Sequence, residues 1–336
     1  MGHPLRLGYK ASAEQFGPQE LLELAVLADE RGFDSVMVSD HYQPFKHTDG
    51  HAPMSIAWLG AASQRTHRAA LGTSVLTPTF RYHPSLIAQA FATLDRLAPG
   101  RVILGVGAGE SMNEVPVTGM EWPETKERFA RLREAVELIR TLWREDFVSF
   151  EGEYYKTRDV TLYDKPSGGM VPIYVGTAGE QTARWAGRVA DGFICTSGKG
   201  MDLYEKLLGA VREGAGKAGR DYEAIEKTIE MKVSFDRDRS RAMNDTKIWA
   251  PLSLPAEDKA GVEDPRELER RAKKVEDQAY RRWLVSDDPE EQVEQLRPYL
   301  DLGFRHLVFH SPADDQPRFI ELYSKEVLPR LRERWG

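Results

Sequence analysis

Short β-branched and apolar runs alternate with stretches of helical periodicity along nearly the whole chain, and this alternation restricts the fold more than any other feature. Eight such runs are legible, at 5–9, 35–39, 70–75, 102–106, 173–176, 192–196, 230–235 and 306–310. Strands separated by helices cannot close as hairpins, so they form a parallel sheet through crossovers. Eight of them is the number that closes a barrel. The sequence therefore predicts an α/β fold, a (β/α)8 TIM barrel.

The helices between the runs have readable starts and faces. Pro18 stands at a first helical position, Leu21, Leu24, Ala25 and Ala28 make one apolar stripe, and Gly32 is suited to a left-handed cap. Pro84 opens a second helix with Ile87, Phe91 and Leu94 on one face. A third, from about Thr125, stacks Leu132, Val136, Ile139 and Trp143, and the last segment aligns Phe319, Leu322 and Val327. Two stretches exceed a minimal repeat: 144–170 reads as an inserted hairpin, and 237–280 as a long charge-rich insertion after the seventh strand. Insertions at the carboxyl ends of barrel strands shape binding pockets, although the charged part around Glu269 reads equally as a solvated excursion. No flexible linker divides the 336 residues, so one domain over 1–336 is expected.

With 41% hydrophobic and 29% charged residues, composition fits a globular chain with a full core. No run approaches the roughly 18 apolar residues of a membrane span, and the first residues lack a signal-peptide pattern, so a cytoplasmic location is expected. A net charge of -7 argues against sequence-independent nucleic-acid binding. The single cysteine, Cys195, lies in an apolar run and reads as a buried, inert thiol.

Several strand ends carry chemistry. Val36-Met-Val-Ser-Asp-His41 delivers a carboxylate and an imidazole to the carboxyl end of the second strand, where barrel active sites lie; alone, the pair reads also as a loop cap and a surface histidine. Gly105-Val-Gly-Ala-Gly-Glu110 is not a dinucleotide fingerprint, because the sequence after it reads as loop until about Thr125. Its glycines mark either close ligand approach or a tight loop. Thr73-Ser-Val-Leu-Thr77 offers hydroxyls and backbone donors, and Val175-Gly-Thr-Ala-Gly179 leads into a helix start suited to an anion. Lys199, Lys259 and Arg282 could together bind a phosphate, although each alone reads as a surface charge. Metal-dependent barrels place a His-x-His pair after the first strand; Gly8-Tyr-Lys-Ala-Ser stands here, and no metal is predicted.

Longer motifs add a resemblance. Gly8 to Phe16, Val38-Ser-Asp-His41, Leu71 to Tyr82, Gly107-Ala-Gly-Glu110 with Asn113, Lys126 to Glu134, Asp191 to Gly200, Trp249 to Leu254 and His306 to His310 together resemble the F420-dependent glucose-6-phosphate dehydrogenases, in the luciferase-like branch of barrel enzymes. The resemblance implies a homodimer that oxidises glucose 6-phosphate at the anomeric carbon and passes hydride to coenzyme F420. It implies His41 as proton acceptor and Glu110 as the group assisting at the deazaflavin nitrogen. It places Asp40, Ser74, Val75, Thr77, Ala108, Gly109, Asn113, Ala178, Gly179 and Gln181 around the cofactor, with a cis peptide between Ser74 and Val75. Thr196, Lys199, Lys259 and Arg282 are implied as phosphate ligands and Glu14 as a partner of sugar hydroxyls.

Two positions depart from that pattern. Phe45 stands where the family has tryptophan, and Ala260 follows Lys259 where histidine is usual. Both changes open or depolarise the pocket, which leaves mannose and fructose 6-phosphates as alternative substrates. A flavin-dependent luciferase-like monooxygenase and a deazaflavin-storage protein are the competing functional readings.

Overall fold

A computed structural model describes residues 3–336. Eight parallel strands close a barrel: β1 (Arg6–Ala11), β2 (Ser35–Val38), β3 (Ala70–Thr73), β4 (Val102–Val106), β5 (Ile173–Gly176), β6 (Gly192–Thr196), β7 (Glu226–Phe235) and, last in the chain, β9 (His306–His310). The ring is sealed where β9 pairs with β1, in the register Arg6 to His306. A ninth strand, β8 (Leu284–Ser286), was not foreseen; it pairs with the far end of β7, from Val233 to Phe235, outside the ring. Among the described residues no helix is long and apolar enough to cross a membrane.

The helices start where proline and capping chemistry place them. Pro18–Glu30 and Pro84–Leu97 each begin on proline, and Gly32 takes a φ of 85° after the first of them. The final apolar stripe is interrupted: Gln316–Glu326 ends and Leu328–Trp335 begins across Val327, because Pro329 lacks the N–H that would continue one helix. In the first insertion the hairpin consists of two isolated antiparallel bridges, Val148 to Val160 and Glu151 to Lys156. The second is a succession of short helical turns from Arg239–Asp245 to Lys273–Arg282 that folds over the barrel mouth beside Phe45 and Met112.

The stretch after β4 departs from expectation. It is a helix, Ser111–Thr118, despite Pro116. Proline costs a helix its bond to the carbonyl four residues earlier, here that of Met112. That carbonyl accepts instead from Gln43 Nε2 at 2.6 Å, and Gly119 closes the helix in the left-handed conformation. β7 also begins four residues earlier than the apolar pattern indicated, at Glu226. Its first half points polar groups inward, so hydropathy hid it: Thr228 meets the buried His306 at 3.4 Å.

Inside the ring the side chains form layers. Met37, Ala70, Ile103, Tyr174, Ile194 and Val308 make an apolar plug. Below it lies a buried polar layer of Glu226, His306 and Ser35, with the half-buried Arg6 at its edge. Above it, at the carboxyl ends of the strands, lies the cavity.

Candidate active site

Two halves meet in this cavity of about 450 Å³, one formed by β2, β3 and β4 and the other by β5, β6 and β7. That is ample for a ring system with a small co-substrate. Of the residues foreseen for a cofactor, Asp40, Ser74, Val75, Thr77, Ala108, Gly109, Asn113 and Ala178 line it, with His41 and Glu110. Gly179 caps the helix Glu180–Val189 and Gln181 lies exposed in its first turn, so both sit beside the cavity rather than in its wall.

The cavity floor is raised at Val75. The Ser74–Val75 peptide is cis, and glycines flank the valine. A Cβ on Gly107 would come within 2.7 Å of Val75 Cγ2, and one on Gly176 within 2.8 Å of Cγ1. Only glycine lets β4 and β5 pass this close, which answers why small residues recur at these strand ends. Beneath, Lys10 Nζ donates to Ser74 O at 2.8 Å and Oγ at 2.7 Å and pairs with Glu230 at 2.9 Å.

Asp40 and His41 have separate duties. The Asp40 carboxylate is 3% exposed and engaged by Arg81 at 2.9 Å, Ser55 at 2.6 Å and Tyr82 at 3.3 Å. Arg81 also pairs with the buried Glu114 at 3.2 Å. This network fixes the end of β2. Arg81 was not singled out in the sequence, where nothing sets it apart from other arginines.

His41 faces the cavity, and its Nδ1–H donates to Glu14 Oε1 at 2.5 Å. The other Glu14 oxygen accepts from Phe45 N at 2.9 Å, so this carboxylate supports both the imidazole and its loop. Phe45 packs edge-on against His41 with ring centroids 5.5 Å apart. Burial disfavours the imidazolium, but the Glu14 carboxylate outweighs it and Glu110 adds to it, so the His41 pKa rises from 6.5 to about 9 against the opposition of Lys10. A pKa of about 9 favours the imidazolium at neutral pH in the free protein.

Glu110 opens the helix Ser111–Thr118, its carbonyl accepting from the amides of Asn113 and Glu114. Asn113 Oδ1 accepts from Tyr42 N at 2.8 Å and Gln43 N at 3.0 Å, tying the loop after His41 to this helix.

The four foreseen phosphate ligands come together on the other side. Tyr204 bonds Thr196 O and Lys199 N, each at 3.1 Å, and holds their loop against Arg282. Gly198 takes a φ of 86° there, and a Cβ on it would lie 3.1 Å from Arg282 O. Arg282 and Lys259 both donate to Leu252 O, at 2.7 and 3.4 Å. Burial first, then the neighbouring Arg282 and Lys199 charges, lower the Lys259 pKa. Among the described residues none of these three cations has a carboxylate partner, while Arg282 Nε is buried without any partner. Sequence analysis passed over Lys10, Glu230 and Lys232, although charged residues at inward-facing strand positions between Ile229, Met231 and Val233 were a usable signal.

Comparison with known proteins places this geometry. The luciferase-like monooxygenase family model matches residues 3–306. The chain is 61% identical to an F420-dependent glucose-6-phosphate dehydrogenase from Nakamurella multipartita, covering 99% of this chain and 98% of that one. It is 58% identical to the protein of the same name from Rhodococcus erythropolis, over 99% of both. An F420-dependent secondary alcohol dehydrogenase, solved with an F420-acetone adduct, superposes with a TM-score of 0.92 at 34% identity, covering 98% of this chain and all of that one. The F420-dependent tetrahydromethanopterin reductase of Methanopyrus kandleri shares the fold, with a TM-score of 0.81 at 23% identity over 98% of this chain and 99% of that one.

Proposed function

The chain belongs to the luciferase-like monooxygenase family, and from that premise we propose that it is an F420-dependent sugar-6-phosphate dehydrogenase whose first substrate is glucose 6-phosphate. The observation that carries this reading is the cluster of Lys199, Lys259 and Arg282, three cations without carboxylate partners beside a cavity floored by Val75. Cations left unpaired in a partly buried site call for an anion, and a phosphate dianion satisfies them by charge-assisted hydrogen bonds.

The cavity fits the cofactor on its own terms. Gly107 and Gly176 leave Val75 as a raised apolar rest for a flat ring, and Ala108, Gly109 and Ala178 form the cavity wall around it. Bound there, the deazaflavin supplies a hydride acceptor. His41, once neutral, takes the proton of the anomeric hydroxyl as the C–H pair departs and the carbonyl of the lactone forms. Glu14 orients the imidazole and stabilises the imidazolium that results, and Glu110, in the wall of the same cavity, would assist at the ring nitrogen.

One domain over 1–336, a homodimer and a cytoplasmic location belong to the same reading. The test is a panel of glucose, mannose and fructose 6-phosphates with F420, read by loss of the oxidised deazaflavin absorbance. Glucose 6-phosphate should react fastest and unphosphorylated glucose hardly at all. Silence across the panel, with flavin mononucleotide found in the purified protein, would return the chain to the monooxygenase reading.

A further inference from the structure

Lys232 is the most anomalous charge in the molecule. It projects inward from β7, two residues above Glu230, and is only 4% exposed. Its backbone N–H donates to Ser197 Oγ at 2.8 Å, yet among the described residues its ammonium has neither a hydrogen-bond acceptor nor an ion-pair partner. Glu230 is the nearest candidate, but that carboxylate is held by Lys10 at 2.9 Å and lies 3.5 Å from His310. Burial keeps His310 neutral, so two lysines and one carboxylate leave this layer with surplus positive charge. A buried cation without a partner is strongly unfavourable, and such a group persists where a ligand completes it.

The direction of that ligand follows from the neighbours. Glu230 and Thr196, paired across β7 and β6, line the cavity, and Ser197, whose Oγ accepts from the Lys232 N–H, joins Thr196 to the Gly198–Lys199 turn that lies against Arg282. Lys232 thus stands between the barrel floor and the Lys199, Lys259 and Arg282 cluster. We propose that Lys232 is a fourth cation of the substrate-phosphate pocket, reaching the phosphate from inside the barrel while the other three hold it from the rim. This rests on the sugar-phosphate reading above and adds to it the inner wall of the phosphate site.

Lys232→Met in the full-length protein tests the proposal, with sulfate as a competitive probe because it stays dianionic across the pH range used. The KM for glucose 6-phosphate and the sulfate Ki should both rise by about 10–150-fold, the range of a charge-assisted hydrogen bond. F420 affinity should hold, the melting midpoint of the free protein should not fall, and Lys232→Arg should restore part of the loss. In the wild type, sulfate binding should weaken as pH rises through about 8, where burial and the Arg282 and Lys10 charges set the Lys232 pKa against the pull of Glu230. Of the groups facing it, Glu230 and His310 titrate well below that window and the buried Cys195 above it, while Arg282 keeps its charge. His41 titrates near 9 and the Lys259 pKa is lowered from its ordinary value as well, so the readout is the part of the limb that disappears in Lys232→Met.

Unchanged KM and sulfate Ki overturn the proposal, as does a raised KM with unchanged sulfate Ki, which would put Lys232 on a sugar hydroxyl. A loss confined to F420 affinity overturns it too. Should Lys232→Met fail to fold, Lys232→Gln takes its place in the same KM, sulfate Ki and pH measurements. If the wild type reduces F420 with no sugar phosphate, the functional reading fails by itself, and direct sulfate binding to wild type and variant still decides whether Lys232 serves an anion.

Discussion

β7 and β9 carry the same pair of residues twice, four positions apart: Glu226 with His306 at one end of the barrel, and Glu230 with His310 at the other. The lower pair is complete. His306 bonds Ser35 Oγ at 2.6 Å and Glu226 at 2.9 Å, and Glu226 also takes Arg6 at 3.1 Å and the Tyr174 hydroxyl. In the upper pair neither His310 nitrogen makes a hydrogen bond, the ring being held edge-on between Trp249 and Trp283, and Lys232 alongside has no partner. Identical residue types on adjacent strands thus serve closure where the strands begin and are left open where they end. A barrel divides its labour in that sense, stability below and function above.

The comparison breaks most readily at Glu226. Glu226→Ala leaves His306, Arg6 and Tyr174 without their shared acceptor, and breaking a buried ionic network of this kind costs about 3–5 kcal/mol. Urea denaturation should show that loss, while turnover per folded molecule stays at the wild-type level. The folded-state pKa of Glu226 is lowered to about 2: burial opposes the charge, but His306, Arg6 and Tyr174 overcome it. Its contribution to stability is therefore full above the ordinary carboxylate pKa of 4.5 and fades as pH falls toward 2. A fall in turnover matching the fall in stability would mean that the lower layer is not merely structural.

At the upper end the expected effects reverse. His41→Ala should lower kcat by about 10²–10⁴-fold, the usual range for a positioned proton acceptor, with little change in the urea midpoint. Arg282→Ala should raise the KM for glucose 6-phosphate by about 10-fold or more and leave F420 affinity unchanged. Equal losses toward substrate and cofactor would remove Arg282 from the phosphate site.

The same division explains what the sequence disclosed. The eight barrel strands were legible because their outward faces are apolar and their ends are punctuated by glycine and by proline-led helices. Ser111–Thr118 was hidden because Pro116 reads as a helix breaker, and the compensating bond from Gln43 spans 69 residues. Residue types at the site were visible at each strand end, whereas pairings between strand ends were not. Glu14 and His41 stand 27 residues apart in the loops after β1 and β2, and no spacing rule joins them. Phe45 was noticed as a departure, and its backbone turned out to matter as well, since its N–H holds the second oxygen of Glu14.

The smallest and sharpest effect concerns pH. With His41 raised to about 9 by Glu14, the free enzyme is protonated at neutral pH, and a protonated imidazole cannot accept the substrate proton. The acid limb of kcat/KM should therefore rise through an apparent pKa well above 6.5 and toward 9. Glu14→Gln keeps an oxygen able to accept from both His41 and Phe45 but removes the charge that outweighs burial. What remains acting on the ring is burial and Lys10, both favouring the neutral form, against Glu110 alone, so the limb should move to or below 6.5. At pH 7 the variant then has more neutral imidazole, but of a weaker base, so its plateau rate should fall while its rate near neutrality changes little. A limb that stays in place in Glu14→Gln would assign the titration to another group. His41 would then orient the sugar rather than take its proton, and the open upper layer would owe its pH response to the phosphate cations instead.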